Sequence, residues 1–286
     1  MNDQQNGNPD VRFPGPARPG GPRHGRAIAD KALTASTIVW FAVAWAGQAI
    51  FAVYIALFYG GTTIRGDMNA WNEILPNRVV DGDAAGIAAI GAHMVLAFIV
   101  TVAGPFQLVP GLRARLPVLH HWTGRLYLLA AYAISLGGLY LIWGRRDADD
   151  TLPGLAPLTL NALLIMIFAA MTVKNAMARR IDVHRQWALR LFLAMSGVWF
   201  LRVGIMIWIL AFGTDGLGGR LEGPIGTFLK FACYAIPLAM LELYFATRRS
   251  DSTTFRWAMT GILFVLTGAM AAGIGMATVA LWLPHM

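Results

Sequence analysis

Seven apolar blocks, at residues 34–59, 84–109, 123–143, 155–174, 188–212, 224–246 and 257–283, decide what this chain can fold into. Each reaches the roughly 20 residues that an α-helix needs to cross about 30 Å of hydrocarbon. Inside lipid every backbone N–H and C=O must find a partner within its own helix or within a closed barrel. The blocks are continuous and lack the alternation of barrel strands. The expected fold is therefore all-α, a polytopic membrane helix bundle of about seven transmembrane helices. Composition agrees, with 57% hydrophobic and 13% charged residues, where soluble domains carry about 25% charged.

The cations orient the bundle. Arg65, Arg78, Arg145, Arg146 and Arg220 fall in the loops on one side, and Arg202 and Lys230 fall inside blocks. The remaining Lys and Arg residues fall on the side of the N-terminus, so the positive-inside rule places that terminus in the cytoplasm. The net charge of +8 is spread over loop edges, where membrane lipids account for it. Nucleic acid is not an expected partner. Residues 1–33, rich in Asn, Gly, Pro and Arg, are expected to form a disordered basic cytoplasmic tail, leaving 34–286 as the transmembrane helical domain. The single cysteine, Cys233, has no second thiol to pair with.

Two stretches echo each other, His120-His121-Trp122-Thr123-Gly124-Arg125-Leu126-Tyr127-Leu128 and His184-Arg185-Gln186-Trp187-Ala188-Leu189-Arg190-Leu191-Phe192-Leu193. Both share Trp-x-x-Arg-Leu-(Tyr/Phe)-Leu, with histidine just upstream, where a basic loop enters an apolar block. Pro117 suits a helical first turn and Asp182 resembles an N-cap, so His120 and His184 belong in first turns. Gly104-Pro105 and Pro237 are expected to kink their helices. Arg256-Trp257 reads as a degraded third copy of the echo.

Polar side chains at membrane depth are costly and face the bundle interior or a watery cavity. They form two layers. The outer one holds His93, roughly 14 Å from its helix end at 1.5 Å per residue, with Arg202 and Lys230 at comparable depth. Such a cluster attracts an anion, a quinone carbonyl or backbone carbonyls. The plainer alternative has Lys230 snorkelling outward and Arg202 bonding carbonyls freed at Gly104-Pro105. The inner layer holds His120, His121, Arg125, His184, Arg190 and Glu242, with both arginines available as countercharges to Glu242. Paired imidazoles on parallel-running helices suit b-type haem better than zinc, for which His-Glu spacing of the HExxH kind is missing.

Three classes stay open. The first is a redox module binding haem b or a metal through His120 and His184, with Arg125 and Arg190 meeting propionates and a redox partner or quinone as electron partner. The second is a small-solute or proton transporter using His93, Arg202, Lys230 and Glu242. The third is an assembly or lipid-interacting protein. The redox module is the first choice. No nucleophile–base pair, phosphate loop or carboxylate pair stands at an enzyme's spacing.

The succession His93, Gly104-Pro105-Phe106-Gln107, Leu112-Arg113-Ala114-Arg115, His120-His121-Trp122-Thr123-Gly124-Arg125-Leu126-Tyr127 and His184-Arg185-Gln186-Trp187-Ala188-Leu189-Arg190 resembles domain of unknown function 2306, a family of predicted bacterial membrane proteins. Arg202 and Glu242 look like further members of its pattern, and the likeness covers roughly residues 85–245. His120 matches the family histidine. His121 stands where the family often has arginine, and Ala188 where methionine is common. The resemblance implies a multi-pass protein of the bacterial inner membrane and no particular activity.

Overall fold

The computed structural model describes residues 22–75, 79–80, 82–145 and 151–286. Residues 1–21 of the expected tail, and Arg78 and Arg146, lie outside the described residues. Helix α1 (Pro22–Ile55) passes through a π-helical turn, Ala56–Gly60, into α2 (Gly61–Arg65). Then come α3 (Ala84–Leu108), the short α4 (Pro110–Arg115), α5 (Pro117–Leu139) and α6 (Leu152–Met177). Helices α7 (Ile181–Met195) and α8 (Gly197–Phe212) meet at Ser196, and α9 (Pro224–Arg249) and α10 (Thr253–Ala277) complete the bundle.

Among the described residues, six helical runs are long and apolar enough to cross a membrane, and α7 with α8, bent by 53°, makes a seventh when counted as one span. Among the described residues there is no strand. The protein is an all-helical polytopic membrane bundle.

Contacts between the ends show that the spans alternate in direction. Where α1 begins, Arg26 donates to Asp251 in the α9–α10 turn at 2.6 Å and Arg256 Nε donates to Asp30 at 2.7 Å. At the opposite end, Asp83 before α3 pairs with Arg145 after α5, and Lys230 Nζ of α9 reaches the Gly154 carbonyl of α6 at 3.5 Å.

Three details differ from the sequence reading. Residues 22–33, assigned to the tail by composition, are helical. Ala29 and Leu33 are fully buried, and Asp30 compensates the charge of Arg256, whose side chain is 3% exposed. These contacts come from the far end of the chain, so local composition carries no trace of them. The same ion pair turns Arg256 into the bundle, unlike the arginines of the two echoes. Asp182 sits inside the first turn of α7 and pairs with Arg185 at 3.4 Å, while Arg180 holds the cap position. Pro117 does begin α5, as expected.

Pro105 and Pro237 lie inside α3 and α9 without ending them. An interruption falls at Ser196-Gly197, where α7 and α8 are bent by 53°. At Gly104 an added Cβ would stand 3.2 Å from Phe192 and 3.3 Å from Tyr127. Glycine there lets α3 approach the aromatic residue of each echo closely.

Asp83 caps α3, its Oδ1 accepting from the Gly86 amide at 2.9 Å. That amide first, and the Arg145 guanidinium second, hold its carboxyl below the usual carboxylate range. An unfolded aspartate titrates near 3.9. The stabilisation is therefore complete above that value and is lost as pH falls through the lower folded pKa. Asp83→Asn keeps a capping oxygen and removes the charge. Thermal unfolding followed from about pH 6 down to about pH 3 should show a flatter acid limb for the variant than for wild type.

Candidate functional site

The break between α7 and α8 is held by two neighbouring spans. Asn161 of α6 donates to the Ala194 carbonyl at 3.2 Å. Gln48 of α1 donates to Ser196 Oγ at 3.0 Å, and Ser196 Oγ donates to the Phe192 carbonyl at 2.8 Å. Gln48, Asn161 and Ser196 are all buried. A Cβ at Gly197 would stand 3.0 Å from the Asn161 amide nitrogen, so the glycine lets α6 approach. Helix breaks at membrane depth persist where neighbouring side chains satisfy the freed backbone in this way.

A cavity of about 80 Å³ lies at this break. Water needs roughly 10–15 Å³ of such space per molecule, so the cavity has room for several waters or one small solute. Its wall combines Gln48, Phe51 and Tyr59 with His93, Ala97 and Thr101 of α3. Tyr127 of α5 and Ser196, Trp199 and Arg202 at the break complete its polar and aromatic side. Among the described residues, no acidic side chain lines it.

Arg202 stacks over the Phe51 ring at 5.1 Å and donates to its own helix at the Val198 carbonyl, 3.3 Å away. It does not reach back to carbonyls at Gly104-Pro105. His93 Nδ1 and Trp199 Nε1 are buried and have no hydrogen-bond partner among the described residues. The outer layer of the sequence reading thus divides. His93 and Arg202 share the cavity, whereas Lys230 is outside its lining, buried rather than snorkelling, with its ammonium at the Gly154 carbonyl.

The inner residues have separate places. Arg190 takes Glu242 through Nε at 2.7 Å and lies over the Trp187 and Phe245 rings at 4.7 and 5.3 Å. Arg125 is exposed and lies over Trp122 at 5.2 Å. The echo is therefore repeated in space: in both copies the arginine stacks on the tryptophan three residues before it, and the next aromatic reaches Gly104. His184 Nδ1 is 3.0 Å from the Thr172 carbonyl of α6. His120 and His121 have ring centroids 6.0 Å apart, and His121 is exposed. Among the described residues, no three His, Cys, Asp or Glu side chains gather as a metal site. Gln107 of α3 lies against Gly124 of α5, and its Nε2 donates to Thr123 at 2.5 Å.

Gln48, Phe51, Ser196 and Trp199 were not singled out in the sequence. Gln48 carried a usable signal, being an amide within an otherwise apolar block. Ser196-Gly197 carried a weaker one, since Gly/Ser pairs are known kink sites. Phe51 and Trp199 carried none, because aromatic residues inside apolar blocks are ordinary.

Fold and site together define a multi-pass α-helical membrane protein with a largely apolar cavity, carrying a few polar side chains, at a break in one span. Residues 90–222 match the family model described as Predicted membrane protein (DUF2306). The matched segment includes His93, the cavity wall from α3, α5 and α8, and both echoes. This match and the apolar spans are consistent with a place in the bacterial inner membrane. No curated protein and no solved structure matches the chain.

Proposed function

We propose that the protein passes a small polar solute across the bilayer by way of the cavity at the α7–α8 break. One observation carries this reading: the interruption in the bent span and the cavity coincide, with Met195, Ser196, Val198 and Trp199 contributing to both. Interrupted helices are where secondary transporters build their binding sites. Towards the end bearing His120 and His184, Tyr127 and Phe192 close on Gly104, and this aromatic pair is where a path must open. Proteoliposomes are the test, loaded in turn with a monovalent anion, a zwitterion and a neutral amide of similar size. One solute should cross faster than in protein-free vesicles, and Ala97→Phe, which fills the cavity, should remove the gain. Equal leakage of all three, with and without protein, contradicts transport.

A second reading, the redox module, is favoured by His184. An imidazole whose Nδ1–H donates to a carbonyl, here that of Thr172, presents Nε2 in the orientation of a metal ligand. His184 and His120 would hold a haem b, which would supply one-electron transfer when bound. Arg125 would face its propionates, since Arg190 is engaged by Glu242. Oxidised and reduced optical spectra of purified protein test this. A Soret band lost in His184→Ala supports it, and a colourless protein expressed with ample haem removes it.

A further inference from the structure

We infer that the cavity takes a small monocarboxylate, its charged head on Arg202 and its short alkyl body against the apolar wall. The inference rests on the reading of this cavity as the solute site.

Charge comes first. Helix α8 enters at Gly197 and ends at Phe212, so Arg202 lies roughly 15 Å from the outer end of its span at 1.5 Å per residue. A cation at that depth is costly and is normally neutralised. Arg202 donates to one carbonyl and lies over one aromatic face, and among the described residues no carboxylate forms an ion pair with it. A neutral acceptor such as a quinone would use the donors and leave the charge. An anion satisfies both.

The donors agree. Arg202 brings a five-donor guanidinium, and Trp199 and His93 belong to the same wall, their indole N–H and ring Nδ1 buried without partners among the described residues. A carboxylate, with two oxygens and about four lone-pair directions, accepts several such bonds at once. The remainder of the wall, including Ile55, Met94, Val100 and Ile134, is apolar. It suits a few methylene groups better than the hydration shell of an inorganic ion. A dicarboxylate would need a second cation, and Lys230 is outside the lining.

The full-length protein in detergent provides the test. Thermal unfolding is followed with sodium propionate, with propionamide as its uncharged isostere, and with sodium chloride at matched ionic strength. Saturating propionate should raise the midpoint by about 5 °C, and the other two should not. Arg202→Gln should abolish the shift. Should that variant not fold, Ala97→Leu, which narrows the cavity and leaves its charges, should reduce the shift in its place. An equal shift with propionamide, an equal shift with chloride, no shift with propionate, or a propionate shift that survives both substitutions overturns the inference. Propionate binding without flux in proteoliposomes leaves the ligand class standing and removes transport. Flux of the amide or zwitterion without propionate binding does the reverse.

Discussion

Trp282→Ala should destabilise the protein by about 3–5 kcal/mol, the range for removing a fully buried large aromatic side chain. Trp282 follows α10 in a π-helical turn and has 0% exposure. Its ring centroid lies 5.4 Å from Phe51 and 6.4 Å from Tyr54. Lipid tails do not refill a hole enclosed by protein, so the lost dispersion contacts are felt in full. The effect should also reach the cavity, because Phe51 packs on Trp282 with one contact and on Arg202 with another. Denaturant titration in one detergent should show the stability loss. Substitution of Leu129, which is 68% exposed on the lipid face, should show almost none.

The second large effect is expected at Gly273. A Cβ there would stand 2.7 Å from Ile207, 2.8 Å from the Val203 side chain and 2.8 Å from the Val203 carbonyl oxygen. The first two neighbours are side chains that can shift slightly, but the third is backbone. Small residues let membrane helices approach to this distance, and α10 meets α8 here just beyond Arg202. Gly273→Val should therefore cost about 1–3 kcal/mol through overpacking, in the same titration. Gly268 has open space at its Cβ, so Gly268→Ala should leave the midpoint near the wild-type value.

The spans were legible because burying a backbone in lipid demands about 20 apolar residues in a row, which nothing else in a sequence imitates. Their ends were less so. Residues 22–33 read as tail because Arg23, Arg26, Asp30 and Lys31 break the apolar pattern. What ties them to the bundle is the burial of Ala29 and Leu33 and the pairing of Asp30 with Arg256 across the whole chain. The break at Ser196 escaped notice because prolines at 105 and 237 drew the expectation of kinks, and both helices carry their proline uninterrupted.

For the candidate site, depth counting put His93 and Arg202 in one layer, since helical rise converts residue number into height, and both line the cavity. It could not exclude Lys230. Height says nothing about azimuth, and the azimuth of Lys230 turns it to α6 and Gly154 rather than to the cavity. The echoed Trp-x-x-Arg stretches were legible as a pattern. Their geometry, arginine stacked on tryptophan with the following aromatic on Gly104, needs three helices to be seen.

The central claim is that the cavity at the α7–α8 break is a place solutes reach, and not a packing void. Cys233 is the one native cysteine and is buried, so Ala97→Cys on a Cys233→Ala background places a single thiol in the cavity wall. Membrane-impermeant thiol reagent applied to vesicles of both orientations gives the measurement, with Leu129→Cys on the same background as the lipid-facing control. The account predicts that the Ala97→Cys thiol is labelled and the control is not. Labelling of neither, under conditions that label an exposed loop cysteine, would contradict it.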